Sequence, residues 1–84
     1  MMKKELTVAA VQMTSSDQLA DNLTAVEYWV NQAVSEGAKL VVLPENFALM
    51  AKHSGQLLSI AETLGEGAIQ SFLSELSKKT ACWI

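Results

Sequence analysis

Gly37-Ala38-Lys39-Leu40-Val41-Val42-Leu43-Pro44-Glu45-Asn46-Phe47 is the stretch whose reading decides the fold. Leu40 to Leu43 is an apolar run with no polar face, which predicts a strand buried on both sides. Pro44 has no amide hydrogen for a sheet ladder and holds Leu43 extended. The strand therefore stops there, with Glu45 at its carboxyl end. Gly37 stands where a preceding helix needs a left-handed residue to close.

Toward the amino terminus, Leu6 to Met13 is apolar at both parities and predicts a first strand, also covered on both faces. Thr14, Ser15, Ser16 and Asp17 supply turn and N-cap residues, and Leu19, Leu23, Val26, Val30, Ala33 and Val34 then recur at helical spacing. Strand, helix and strand in this order make a right-handed βαβ unit with parallel strands.

Downstream of Glu45, Gln56 to Thr63 predicts a short helix, and Gly65 and Gly67 punctuate the chain. Ile69, Phe72, Leu73 and Leu76 share one face of a further helix, and Ala81 to Ile84 starts a third strand. The chain stops on Trp83 and Ile84 without a turn or cap. Its helices are too few to cover both faces of a parallel sheet. The expected fold class is α/β, the amino-terminal part of a larger domain cut after the start of its third strand.

The 84 residues suffice for one small domain, and with 50% apolar and 18% charged residues the chain is expected to pack into a core. The net charge is -3, and Lys3, Lys4, Lys39, Lys52, Lys78 and Lys79 are scattered, so nothing would neutralise a nucleic-acid backbone. One cysteine, Cys82, cannot close an internal disulfide. No apolar stretch has membrane-spanning length, and the run after Lys4 is too short for a signal peptide. The location expected is cytoplasmic.

The Gly37–Phe47 stretch resembles the first signature of the nitrilase superfamily of carbon–nitrogen hydrolases, in which a buried strand ends in Pro-Glu followed by an aromatic residue. Val8-Ala9-Ala10-Val11-Gln12, Asn22 and the helix after Gly67 support the resemblance, which runs from about Leu6 to Ile84. Ala61 to Ile84 is most similar to the amidase branch that includes deaminated-glutathione amidases and ω-amidases. The resemblance implies that residues 5–84 are an incomplete carbon–nitrogen hydrolase domain of α-β-β-α sandwich fold.

It further implies a glutamate, a lysine and a cysteine nucleophile, with a small amide as substrate, no cofactor, and a homo-oligomer at full length. Only the glutamate maps here, onto Glu45. A cysteine attacks an amide as its thiolate, so a base must remove the thiol proton and later activate the water that clears the thioester. The lysine would stabilise the oxyanion. With two of three groups missing, these residues alone are expected to be inactive.

Each residue also has a plainer reading. Glu45 read without its motif is an exposed carboxylate after a strand. Cys82 falls inside the third strand, where free cysteine packs as a small hydrophobe, and the family's nucleophile follows a later strand. Lys52, Lys78 and Lys79 read as solvated. His53 lacks partners for a metal site and is expected in an exposed loop. Of Tyr28 and Trp29, one is expected against the sheet or a neighbouring layer. Phe47 and Met50 suit either a substrate pocket or the core. Thr80 stands where the family often closes the helix with glycine. The alternative function is a flavodoxin-like α/β binding module without catalysis, yet Thr14 to Asp17 contains no glycine for a phosphate loop.

Overall fold

A computed structural model describes residues 5–52, 54–62 and 65–84. The elements are β1 (Val8–Ala10), α1 (Leu19–Ser35), β2 (Leu40–Val42), α2 (Ser54–Ile60) and α3 (Ala68–Thr80). β1 and β2 are parallel, with Val8 opposite Leu40, Ala9 opposite Val41 and Ala10 opposite Val42. The ladder is continued by Lys39 N–H donating to the Thr7 carbonyl at 2.8 Å and Val11 N–H to Val42 at 2.9 Å. The first strand is thus shorter than Leu6 to Met13.

The third strand is present as a parallel bridge between Leu40 and Trp83. Trp83 N–H donates to Lys39 at 2.9 Å, and Val41 N–H donates to Trp83 at 2.7 Å. β2 is therefore central, and the two crossovers step in the same direction across the sheet. Right-handed crossovers that step the same way leave their helices on the same face. Accordingly α1 and α3 pack against each other.

Side-chain parity follows from this. Val41 and Cys82 are buried in one cluster with Val26 and Val30 of α1 and Leu76 of α3, and Ala9 packs against it. The other parity is open: Val8 is 51%, Val42 52% and Trp83 77% exposed. Of the two faces that the apolar strands suit for burial, these residues cover one, as expected of helices too few to cover both. An apolar run shows that both parities tolerate burial, whereas crossover direction decides which face receives the helices.

α1 begins after Gln18, which is extended and offers no side-chain cap bond. The N-cap role expected of Thr14 to Asp17 is not taken: Ser16 Oγ accepts from Gln18 N–H at 3.1 Å and donates to Asn22 Oδ1 at 3.4 Å, and Asp17 pairs with Lys52 at 3.3 Å. At the carboxyl end Gly37 has φ +95°. Its N–H donates to Val34 at 2.9 Å and Ala38 N–H to Ala33 at 3.1 Å, the paired bonds of a Schellman motif.

The same motif closes α3. Ala81 N–H donates to Lys78 at 3.3 Å and Cys82 N–H to Ser77 at 3.2 Å. Here the left-handed residue is Ala81, at φ 52°. Thr80 stays helical and donates its hydroxyl to Leu76 at 2.7 Å. Left-handed backbone costs a non-glycine residue about 1–2 kcal/mol, and glycine returns about 0.4–1 kcal/mol of that through unfolded-chain entropy. Ala81→Gly is expected to stabilise by about 0.5–1 kcal/mol and Gly37→Ala to destabilise by a similar amount. Urea midpoints at a fixed chain concentration measure both, and a lowered midpoint for Ala81→Gly would contradict the geometry.

α2 starts earlier than the predicted Gln56. His53 and Thr63 lie outside the described residues. α3 starts after Gly67 at φ 116°, which carries no capping side chain. The Glu62 carboxylate caps it instead, accepting from Ile69 N–H at 2.7 Å and Gln70 N–H at 3.1 Å. The Ile69 amide, with smaller help from Gln70, holds the Glu62 carboxyl below its usual range. A depressed folded value means the cap contributes above the unfolded pKa and is lost as pH falls through the folded one. The protection of the Ile69 amide, its exchange relative to the intrinsic rate at each pH, should therefore fall in acid, and Glu62→Gln should flatten that dependence.

Candidate active site

β2 ends at Val42, and Leu43 and Pro44 carry the chain off the sheet. Phe47 N–H donates to the Pro44 carbonyl at 3.1 Å, closing a turn whose two middle residues are Glu45 and Asn46. Both are exposed. The turn lifts the Glu45 carboxylate clear of the end of the central strand. It stands on the rim of a groove of about 410 Å³ whose walls include Leu43, Pro44, Phe47, Leu73 and Ile84.

Phe47 also packs against the core, whereas Met50 is 50% exposed and lies outside that groove. The segment after Glu45 is stitched to the loop between β1 and α1. Ser15 Oγ donates to the Phe47 carbonyl at 3.3 Å, and Met50 N–H donates to the Ser16 carbonyl at 2.8 Å. Asn22 Nδ2 donates to the Ala48 carbonyl at 2.7 Å. Leu49, buried, anchors the segment between these bonds.

Beyond it, Lys52 Nζ lies 3.3 Å from Asp17 Oδ2. This ammonium, seconded by the Gln56 amide, holds the Asp17 carboxyl below its usual range. Lys52 is thereby engaged away from Glu45. Lys79 pairs with Glu27 at 3.8 Å, and Lys78 is exposed on α3. Among the described residues lining the groove there is no lysine and no cysteine.

Cys82 is 3% exposed in the core under the helices, its thiol donating to the Trp83 carbonyl at 3.4 Å. Neither Tyr28 nor Trp29 is buried in the core. The rings meet edge to face with centroids 5.0 Å apart and line a cleft along the outer edge of β1. In the sequence, Asn22 serves only as support for the family resemblance; its spacing from Val26 and Val30 is the signal that could have marked it, and its hold on the segment after Glu45 is visible only in three dimensions.

A parallel α/β unit that presents a carboxylate at the carboxyl end of its central strand has the arrangement in which open-sheet enzymes gather their chemistry. The carbon–nitrogen hydrolase family profile matches residues 7–84, and the chain belongs to that family. A deaminated glutathione amidase of Synechocystis sp. (strain PCC 6803 / GT-S) is 44% identical over 54 residues, 64% of this chain and 20% of that protein. The deaminated glutathione amidase of Yersinia enterocolitica is 31% identical over 81 residues, 96% of this chain and 28% of that protein. The human one is 29% identical over 77 residues, 92% of this chain and 23% of that protein.

The chain thus spans between 20% and 28% of the length of these relatives. The family is the one to which the Gly37–Phe47 stretch pointed, and the relatives carry the name of the amidase branch that Ala61 to Ile84 resembled. The chain is mixed helix and parallel strand, in keeping with the α/β class. Among the described residues no helix is long and apolar enough to cross a membrane.

Proposed function

We propose that these residues form the amino-terminal part of an amidase that hydrolyses a small amide to an acid and ammonia, with Glu45 as general base. The observation that carries the reading is the turn that holds the Glu45 carboxylate at the end of β2, on the rim of the groove, in a chain of this family. The nucleophilic cysteine and the oxyanion-binding lysine belong to sequence outside these 84 residues. The open sheet face of Val8, Val42 and Trp83 takes a second sheet, giving the α-β-β-α sandwich.

In the reaction, Glu45 removes the thiol proton and the thiolate attacks the amide carbonyl. The lysine stabilises the tetrahedral oxyanion, the carbon–nitrogen bond breaks, and the proton held by Glu45 leaves with ammonia. Glu45 then deprotonates a water that attacks the thioester, releasing the acid and returning a proton to the thiol. The names of the relatives suggest deaminated glutathione as the first substrate to try.

The test joins residues 5–84 to the remainder of the Synechocystis relative and measures ammonia release. Turnover by this hybrid supports the reading, and a folded hybrid that releases no ammonia sinks it.

A further inference from the structure

Asn22 is 2% exposed, on the face of α1 that also buries Val26 and Val30. Its Oδ1 accepts from Ser16 N–H at 2.8 Å and from Ser16 Oγ at 3.4 Å. Its Nδ2 donates to the Ser16 carbonyl at 2.8 Å and to the Ala48 carbonyl at 2.7 Å. Both amide hydrogens and both oxygen lone pairs are therefore engaged, and three of the four partners are backbone groups of two loops far apart in sequence.

If this position only filled space, an aliphatic side chain would serve better, because a buried carboxamide is tolerated at the price of complete hydrogen bonding. What the carboxamide adds is direction. Glu45 lies between two fixed points: the ladder bond from Val11 to Val42 before it, and Ala48 after it. Without the bond to Ala48, the ties left between those loops are the Ser15 hydroxyl bond at 3.3 Å, the Met50 amide bond and the pair of Asp17 with the exposed Lys52.

We infer that Asn22 is a positioning residue for Glu45: its carboxamide clamps the segment after Glu45 onto the loop before α1 and so fixes where the strand-end carboxylate stands. The inference rests on the reading of Glu45 as the base. Sub-ångström placement of a catalytic group matters because a misplacement of about 1 Å costs roughly a hundredfold in rate. The clamp differs from ordinary core packing in acting on these two loops and not on α3.

Two measurements test it. The first is hydrogen exchange by mass spectrometry on the 84-residue chain, comparing Asn22→Ala with the parent sequence. Exchange in 13–18 and in 46–52 should quicken together by about tenfold or more, with 68–80 unchanged. Absence of protection in 46–52 in the parent, no change in the variant, or an equal rise in 68–80 overturns the clamp.

The second is steady-state kinetics in the hybrid enzyme. Asn22→Ala should lower kcat by about 10- to 100-fold with KM within about threefold. Val30→Ala, which thins the buried face of the same helix, should leave kcat within about threefold. Equal losses from the two variants overturn the positioning role. A parent hybrid without activity removes the reading of Glu45 and leaves the exchange experiment to decide the clamp.

Discussion

Glu45→Gln in the hybrid enzyme is expected to remove turnover by about 10²–10⁴-fold, the range that loss of a general base produces. Glutamine preserves the size of the side chain and its exposed place in the Pro44–Phe47 turn, so the fold should be undisturbed. What disappears is the ability to accept the thiol proton and later the water proton. Both chemical steps then slow, and substrate binding should change little, so the loss falls on kcat.

Cys82→Ser supplies the contrast. The thiol is buried beneath the helices and bonded to the Trp83 carbonyl, away from the groove that Glu45 overlooks. Serine can make the same bond, so turnover should stay within about threefold at some loss of stability from burying a more polar group. Turnover that survives Glu45→Gln but vanishes with Cys82→Ser would reverse the assignment.

The second large effect concerns the 84 residues expressed alone. Val8, Val42 and Trp83 leave one face of a three-stranded parallel arrangement open, and Leu6 adds a further exposed apolar side chain at 63%. An apolar sheet face of this kind is a strong drive to association. The chain should sediment as species larger than 9.1 kDa and release no ammonia from deaminated glutathione. Threonine at both Val8 and Val42 should shift the distribution toward monomer while β1 and β2 stay paired. A monomer at all concentrations, or ammonia release that survives purification, would contradict this expectation.

How much was legible beforehand differs from element to element. The end of β2 was clear because proline acts within its own dipeptide, removing a donor and restricting Leu43, whatever the rest of the chain does. The closure of α1 at Gly37 was clear for the same kind of reason, since a left-handed residue is a local requirement. α3 broke the analogous expectation: its left-handed residue is Ala81, held there by Cys82 N–H bonding back to Ser77 and by the strand that begins at once. The start of that helix was also out of view, because its cap comes from Glu62, five residues before the glycine that precedes α3.

By itself, then, the sequence determined which segments are helix or strand, that the strands are parallel, and that a carboxylate stands just beyond the central one. Those properties follow from hydrophobic period, from glycine and proline, and from the short reach of backbone sterics. Only the tertiary structure decided that both helices share one face, that Tyr28 and Trp29 line the edge of β1, and that Asn22 reaches Ala48. Each of these depends on which way the chain crosses the sheet and on groups tens of residues apart, and a local hydrophobic pattern carries no record of either.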